Sequence, residues 1–213
     1  MRKMNETGLF LTLEEKVRID HTAVVVVDVQ NDFCADGGWY AKNNNLDMIQ
    51  SMVPRLNSFL RKTRSKGVLT VLIKTIYNKH VISAVMREKL IQRGLDLEYC
   101  LENTWGSEFY MIEPTPADVI IVKQRHSGFF QTELDTVLRH HGIKTVILTG
   151  VATNVCVEST AREAFAMDYY VVLLSDCTGT FSSQLQELTL LNIDKVFGSV
   201  CSSERIMTIW EPF

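Results

Sequence analysis

Proline is scarce in this sequence, 4 of 213 residues. No apolar stretch approaches the ~18 residues of a membrane-spanning helix. No C-x-x-C pair occurs among the five cysteines, Cys34, Cys100, Cys156, Cys177 and Cys201. Neither G-x-G-x-x-G nor G-x-x-x-x-G-K-[ST] follows the first apolar run, which argues against a nucleotide-binding protein. No basic stripe is present either. Lys and Arg number 22 against 25 Asp and Glu, a net charge of −3, so nucleic acid is not the expected partner. The odd, scattered cysteines speak against a disulfide framework and a structural zinc site, and for a reducing cytoplasm. Met1 to Asp20 is charged throughout and lacks the apolar run of a signal peptide. A 46% apolar fraction with 22% charged residues fits one folded domain over 1–213 rather than disorder.

The apolar residues that are present come in short continuous runs: Ala23–Val27, Val68–Ile73, Val119–Val122, Thr145–Leu148 and Tyr170–Leu174, with a weaker one at Lys195–Val200. Runs this continuous and rich in β-branched residues read as strands buried on both faces. Between them lie helical periods at Leu46–Lys66, Thr132–His141, Asn154–Met167 and Ser182–Asn192. The first two end at Gly67 and Gly142, so the cationic clusters Arg61–Lys66 and Arg139–His141 read as helix ends. Alternation of this kind predicts an α/β fold: a three-layer α-β-α sandwich around a mostly parallel six-stranded sheet. Residues 77–116 break the rhythm. They carry a helical stretch at Val81–Arg93 and then Trp105 and Gly106, and read as a lid, an oligomer contact or an ordered excursion.

Parallel sheets bind ligands beyond the carboxyl ends of their strands. Asp28 closes the first run, Lys123 closes the third, and a turn leading to Cys156 follows the fourth. Singly, each has a plain role: a turn cap, a snorkelling strand end, a small buried hydrophobe. Together they place a carboxylate, an ammonium and a thiol at one crevice. A thiol is weakly ionised at its usual pKa of about 8.5, and a nearby ammonium and helix N-terminus favour the anion. Asp28 can take the thiol proton and later pass it to a leaving group. N–H groups of the turn before Cys156 can hold an oxyanion. The chemistry expected is acyl transfer to sulfur and hydrolysis of the thioester.

Three segments carry a resemblance over about Thr22–Val200: Val27-Asp28-Val29-Gln30-Asn31-Asp32-Phe33, Lys123-Gln124-Arg125-His126-Ser127-Gly128-Phe129, and Gly150 through Arg162 containing Thr153-Asn154-Val155-Cys156. The chain resembles the isochorismatase-like cysteine hydrolases. The resemblance implies that Asp28, Lys123 and Cys156 are catalytic, that a cis peptide precedes Ala152, and that the N–H groups of Ala152 and Cys156 form an oxyanion hole. It implies no cofactor and a homo-oligomer, dimer or tetramer. Nicotinamidases add an Asp-x-His pair and a further His for a metal after the second strand. Lys74-Thr75-Ile76-Tyr77-Asn78-Lys79-His80 lacks that pattern, so no metal site is expected. Lys123 to Arg162 is most similar to ureidoacrylate amidohydrolase and biuret hydrolase, with His126 where those enzymes show Tyr.

The expected activity is therefore a metal-independent cysteine hydrolase cleaving a C–N bond of a small ureido, carbamoyl or amide substrate. An isochorismatase-type or nicotinamidase-type hydrolase on the same fold is the alternative, as is a binding or redox module without turnover. Asn31, Phe33, Trp39, Trp105, Arg125 and His126 are candidate substrate-binding residues. Packing or a structural ion pair is the competing role for several of them. Asp32 reads as a loop cap.

Overall fold

A computed structural model of the chain describes residues 8–78, 80–92, 94 and 98–211. The six apolar runs form one sheet: β1 (Thr22–Val27), β2 (Leu69–Thr75), β3 (Val119–Lys123), β4 (Thr145–Val151), β5 (Tyr170–Gly179) and β6 (Ser199–Cys201). The order is β3-β2-β1-β4-β5-β6, and every pairing is parallel. All six residues of β1 are buried, as its position between β2 and β4 requires. Alternate residues feed two cores. Val24, Val26, Leu72 and Ile147 face one side, and Ala23, Val25, Ile73 and Leu148 the other. Strand order reverses at β1, so a crevice opens beyond the ends of β1 and β4.

The first core is covered by α1 (Asp47–Ser65), whose Ile49, Met52, Val53, Leu56, Phe59 and Leu60 are buried. It ends at Gly67, with φ of +71°, and Lys62 and Arg64 lie in its last turn, as the dipole favours. Arg64 also pairs with Asp118 at 2.7 Å, a contact the sequence did not announce. In the excursion, α2 spans Ala84–Gln92, within the expected Val81–Arg93; Arg93 lies outside the described residues. The second core is covered by α3 (Leu134–His140) and α4 (Glu158–Ala166), joined by Ile193. α5 spans Ser183–Asn192. α6 (Ser203–Trp210) returns to the first core with Ile206, Met207 and Trp210.

Two elements depart from the sequence reading. The expected strand Lys195–Val200 survives only as Ser199–Cys201, because Ile193–Phe197 continues α5 as a π-helical turn. The expected helix Asn154–Met167 begins instead as a π-helical turn, Thr153–Val157, before α4.

The excursion is pinned beside the strand ends. Tyr77 N–H donates to Cys100 O at 2.8 Å, and Glu102 N–H donates to Tyr77 O at 3.0 Å. Asp32 acts as the expected loop cap: its Oδ1 accepts from Trp39 N–H at 3.1 Å and its Oδ2 from Cys100 N–H at 2.6 Å. Gly150, with φ of +103°, lets β4 pass β1, since a Cβ there would meet Val27 O at 2.1 Å.

Candidate active site

Asp28 follows β1 in the left-handed region, with φ of 54°, a conformation aspartate tolerates better than most side chains. Its N–H is fixed to Ile73 O at 2.9 Å. Lys123 ends β3, two strands away and so about 10 Å across the sheet. Only a long side chain bridges that gap. It passes over the end of β2, where Thr75 is its register partner. Lys123 Nζ reaches Asp28 Oδ2 at 2.7 Å, with both side chains 1% exposed. It donates to Thr75 Oγ1 at 2.8 Å, to Arg125 O at 2.9 Å and toward Cys156 Sγ at 3.5 Å.

Thr75 has a polarity of its own. Its oxygen accepts from Lys123, so its single proton goes to Asp28 Oδ1, at 3.0 Å. Oδ2 receives no aligned hydrogen bond and contacts Lys123 as an ion pair. Gln30 holds Thr75 in turn. Its amide accepts from Thr75 N–H at 2.8 Å and donates to Thr75 O at 2.9 Å and to Ser107 O at 2.9 Å, mimicking a strand partner. Neither Gln30 nor Thr75 was singled out from the sequence. The available signal was position, since Thr75 is the polar end of β2 just as Lys123 is of β3.

Cys156 is carried by the π-helical turn, whose Val155 and Val157 N–H groups donate to Ala152 O at 3.0 and 3.3 Å. The Val151–Ala152 peptide bond is cis. Thr160 Oγ1 donates to Cys156 O at 2.7 Å and accepts from Gly128 N–H at 2.9 Å, tying the thiol's turn to the loop after Lys123.

Burial sets the balance of charge at the site. Burial pushes the Cys156 thiol up to about 12. Lys123 opposes that rise, while the neighbouring Asp28 charge adds to it. For Lys123, burial works against the ammonium, yet Asp28 and Cys156 outweigh it and raise its pKa above the ordinary lysine value. The resting site is therefore a thiol, a carboxylate and an ammonium. The ammonium does favour the anion, as expected, but burial outweighs it, so the proton must be taken by a base such as Asp28. Removing the ammonium should be costly. Lys123→Met leaves a buried carboxylate unpaired, and urea denaturation should show a loss of about 3–5 kcal/mol. Much of that loss should return in the Asp28→Asn/Lys123→Met double variant.

Asp28 and Cys156 open onto a cavity of about 30 Å³, with Lys123 behind them. Asp28, Thr75, Ala152, Cys156 and His126 line it, and five aromatic rings, Phe33, Tyr40, Tyr77, Tyr99 and Phe181, wall it. The rings interlock: Tyr40 stacks on Phe181 at 4.7 Å, and Tyr77 meets Tyr99 edge-on at 5.2 Å. Of the sequence candidates, Phe33 and His126 line the cavity, His126 at the mouth with Nδ1 3.8 Å from Sγ. Burial and the Lys123 charge lower the His126 pKa from its ordinary value, which disfavours the cationic ring.

The other candidates lie elsewhere. Trp39 is buried behind the wall, against Tyr99 at 4.7 Å. Asn31 Nδ2 donates to Trp105 O at 2.8 Å, and Trp105 itself is exposed. Arg125 Nη1 donates to Val81 O at 3.0 Å and Gln124 O at 2.6 Å. Tyr40, Tyr77, Tyr99 and Phe181 were missed, because they come from separate segments that only the fold brings together. Among the described residues, no group of three His, Cys, Asp or Glu side chains is placed to hold a metal ion. No helix among them is long and apolar enough to cross a membrane.

Comparison with known proteins agrees with this layout. Residues 22–205 match the Isochorismatase domain family. The ureidoacrylate amidohydrolase of Agrobacterium fabrum is 31% identical, covering 85% of this chain and 86% of its own. A cysteine hydrolase from Pseudomonas syringae pv. phaseolicola superposes with a TM-score of 0.82 at 28% identity, covering 92% of this chain and 95% of that one. An isochorismatase-like hydrolase from Alkaliphilus metalliredigens gives 0.77 at 32% identity, covering 90% of this chain and all of that one.

Proposed function

The chain belongs to the isochorismatase family, and from that membership and the site's geometry we propose that it is a cysteine amidohydrolase cleaving a C–N bond of a small ureido, carbamoyl or amide compound. The observation that carries the reading is the contact of Lys123 with both Asp28 and Cys156, two residues that line one cavity. In this reading the Cys156 proton passes to Asp28 Oδ2 as Sγ attacks the substrate carbonyl carbon. The carbonyl electron pair moves to oxygen, which the N–H groups of Ala152 and Cys156 hold. Collapse breaks the C–N bond, the nitrogen takes the proton from Asp28, and a thioester remains on Cys156. Water then gives a proton to Asp28 and attacks the thioester. Breaking the S–C bond releases the acid, and the thiol recovers its proton. Lys123 stays charged throughout and balances Asp28.

No metal takes part in this scheme, and the segment after β2 supports that through its residues, Lys74 to Asn78 and His80, rather than a paired ligand set. The five unpaired cysteines support a cytoplasmic setting. A homo-oligomer belongs to the same proposal. The exposed Leu185, Leu188 and Leu191 on α5 support it, and sedimentation measures it. The test of the activity is ammonia release from ureidoacrylate, biuret, an N-carbamoyl amino acid and simple carboxamides, with Cys156→Ala as control. Release from none of them by a chain with a reactive Cys156 would place the substrate outside these classes.

Thr75 has a defined place in this chemistry. By occupying Oδ1 it leaves Oδ2 for the thiol proton. Thr75→Val should lower kcat by about 10- to 100-fold with little change in KM, and Thr75→Ser should restore most of it. Equal activity in all three would remove Thr75 from the scheme.

A further inference from the structure

Resting on that reading, we infer that the site selects for an uncharged substrate and discriminates against one carrying a carboxylate near the scissile bond. Selectivity of this kind would set the chain apart from relatives that act on ureidoacrylate, itself a carboxylate. The cavity gives such a group nowhere to go. Among the described residues, no arginine or lysine lines it. Its one lining charge is the Asp28 carboxylate, already balanced by Lys123 from behind.

Arg125 lies two residues beyond Lys123 and is not among the residues that line the cavity. Its Nη1 is held by two carbonyls, Val81 O at 3.0 Å and Gln124 O at 2.6 Å. One nitrogen of its fork thereby holds the segment before α2. His126 lines the cavity and offers hydrogen bonding, and burial and the Lys123 charge disfavour its cationic form. The remaining walls are the five aromatic rings with Thr75, Val151, Ala152 and Val155. A buried carboxylate without a charged partner is heavily penalised, whereas a planar neutral amide stacks against such rings with only its carbonyl and N–H groups to satisfy.

Cys156 itself reports this selectivity, whatever the natural substrate. Iodoacetamide and iodoacetate differ in charge, not in reaction: Sγ bonds to the methylene carbon, iodide leaves, and the thiol proton is lost. Alkylation of Cys156 by each is followed at pH 8 by peptide mass spectrometry, with glutathione as the free-thiol reference. Relative to glutathione, the ratio of amide to acetate rates at Cys156 should be raised at least tenfold. Arg125→Gln should leave that ratio unchanged. A ratio equal to or below that of glutathione overturns the inference yet leaves Cys156 a reactive nucleophile, so the cysteine-hydrolase reading stands. A ratio that rises further in Arg125→Gln also overturns it, since Arg125 would then be receiving the anion. Labelling by neither reagent removes Cys156 as a nucleophile, and the inference falls with the reading beneath it.

Discussion

Cys156→Ala should abolish release of ammonia from every substrate that the wild-type chain hydrolyses, a loss of about 10⁴-fold or more in kcat. The size follows from the site's construction. Lys123 and Asp28 remain in contact and the cavity keeps its walls, but no atom is left to take the acyl group. Sγ is a small part of the packing, so the thermal midpoint should stay within a few degrees of the wild type. Substrate affinity, read by equilibrium binding, should persist. Full activity in this variant would show that the acyl group never passes through sulfur.

Asp28→Asn is the second large effect, and it splits two quantities that usually move together. Turnover should fall by about 10³–10⁴-fold, because an amide can neither take the thiol proton nor return it to the leaving nitrogen. The thiol should nevertheless become more acidic. In the wild type, burial holds the Cys156 pKa up to about 12, with Asp28 adding to the rise and Lys123 opposing it. Taking away the carboxylate leaves the ammonium acting alone on the sulfur, so the titration midpoint moves down. Thiolate absorbance followed against pH should therefore appear at lower pH in Asp28→Asn than in the wild type. A variant that is both slower and less acidic at Cys156 would mean that Asp28 only positions the site.

The parts of this site legible in the sequence were those that lie at strand ends. Asp28, Lys123 and Cys156 could be aligned because continuous apolar runs mark where parallel strands stop, and chemistry collects beyond their carboxyl ends. Gly67 and Gly142 marked helix ends in the same way. What the sequence hid depends on three-dimensional neighbours. Thr75 looks like any polar strand end until β2 is seen to lie between β1 and β3, directly under the path of Lys123. The aromatic wall gathers Tyr77 and Tyr99 from the excursion, Tyr40 from the loop before α1 and Phe181 from the end of β5. No period in the sequence links them. Arg125 is hidden for a related reason: its place two residues after Lys123 suggests an anion site, and only the fold shows Val81 O accepting a hydrogen bond from its guanidinium. The ammonium beside Cys156 was visible in the sequence, whereas the depth of burial that opposes it was not.

The central claim is that hydrolysis runs through a thioester on Cys156. Rapid-quench mass spectrometry during turnover of a substrate that releases ammonia tests it most directly. The account predicts that the peptide bearing Cys156 gains the mass of the acyl group within the first turnover, that free hydroxylamine removes it, and that Thr75→Val forms it more slowly. Ammonia release at the full rate with Cys156 unmodified at every quench time, and undiminished in Cys156→Ala, would contradict the claim.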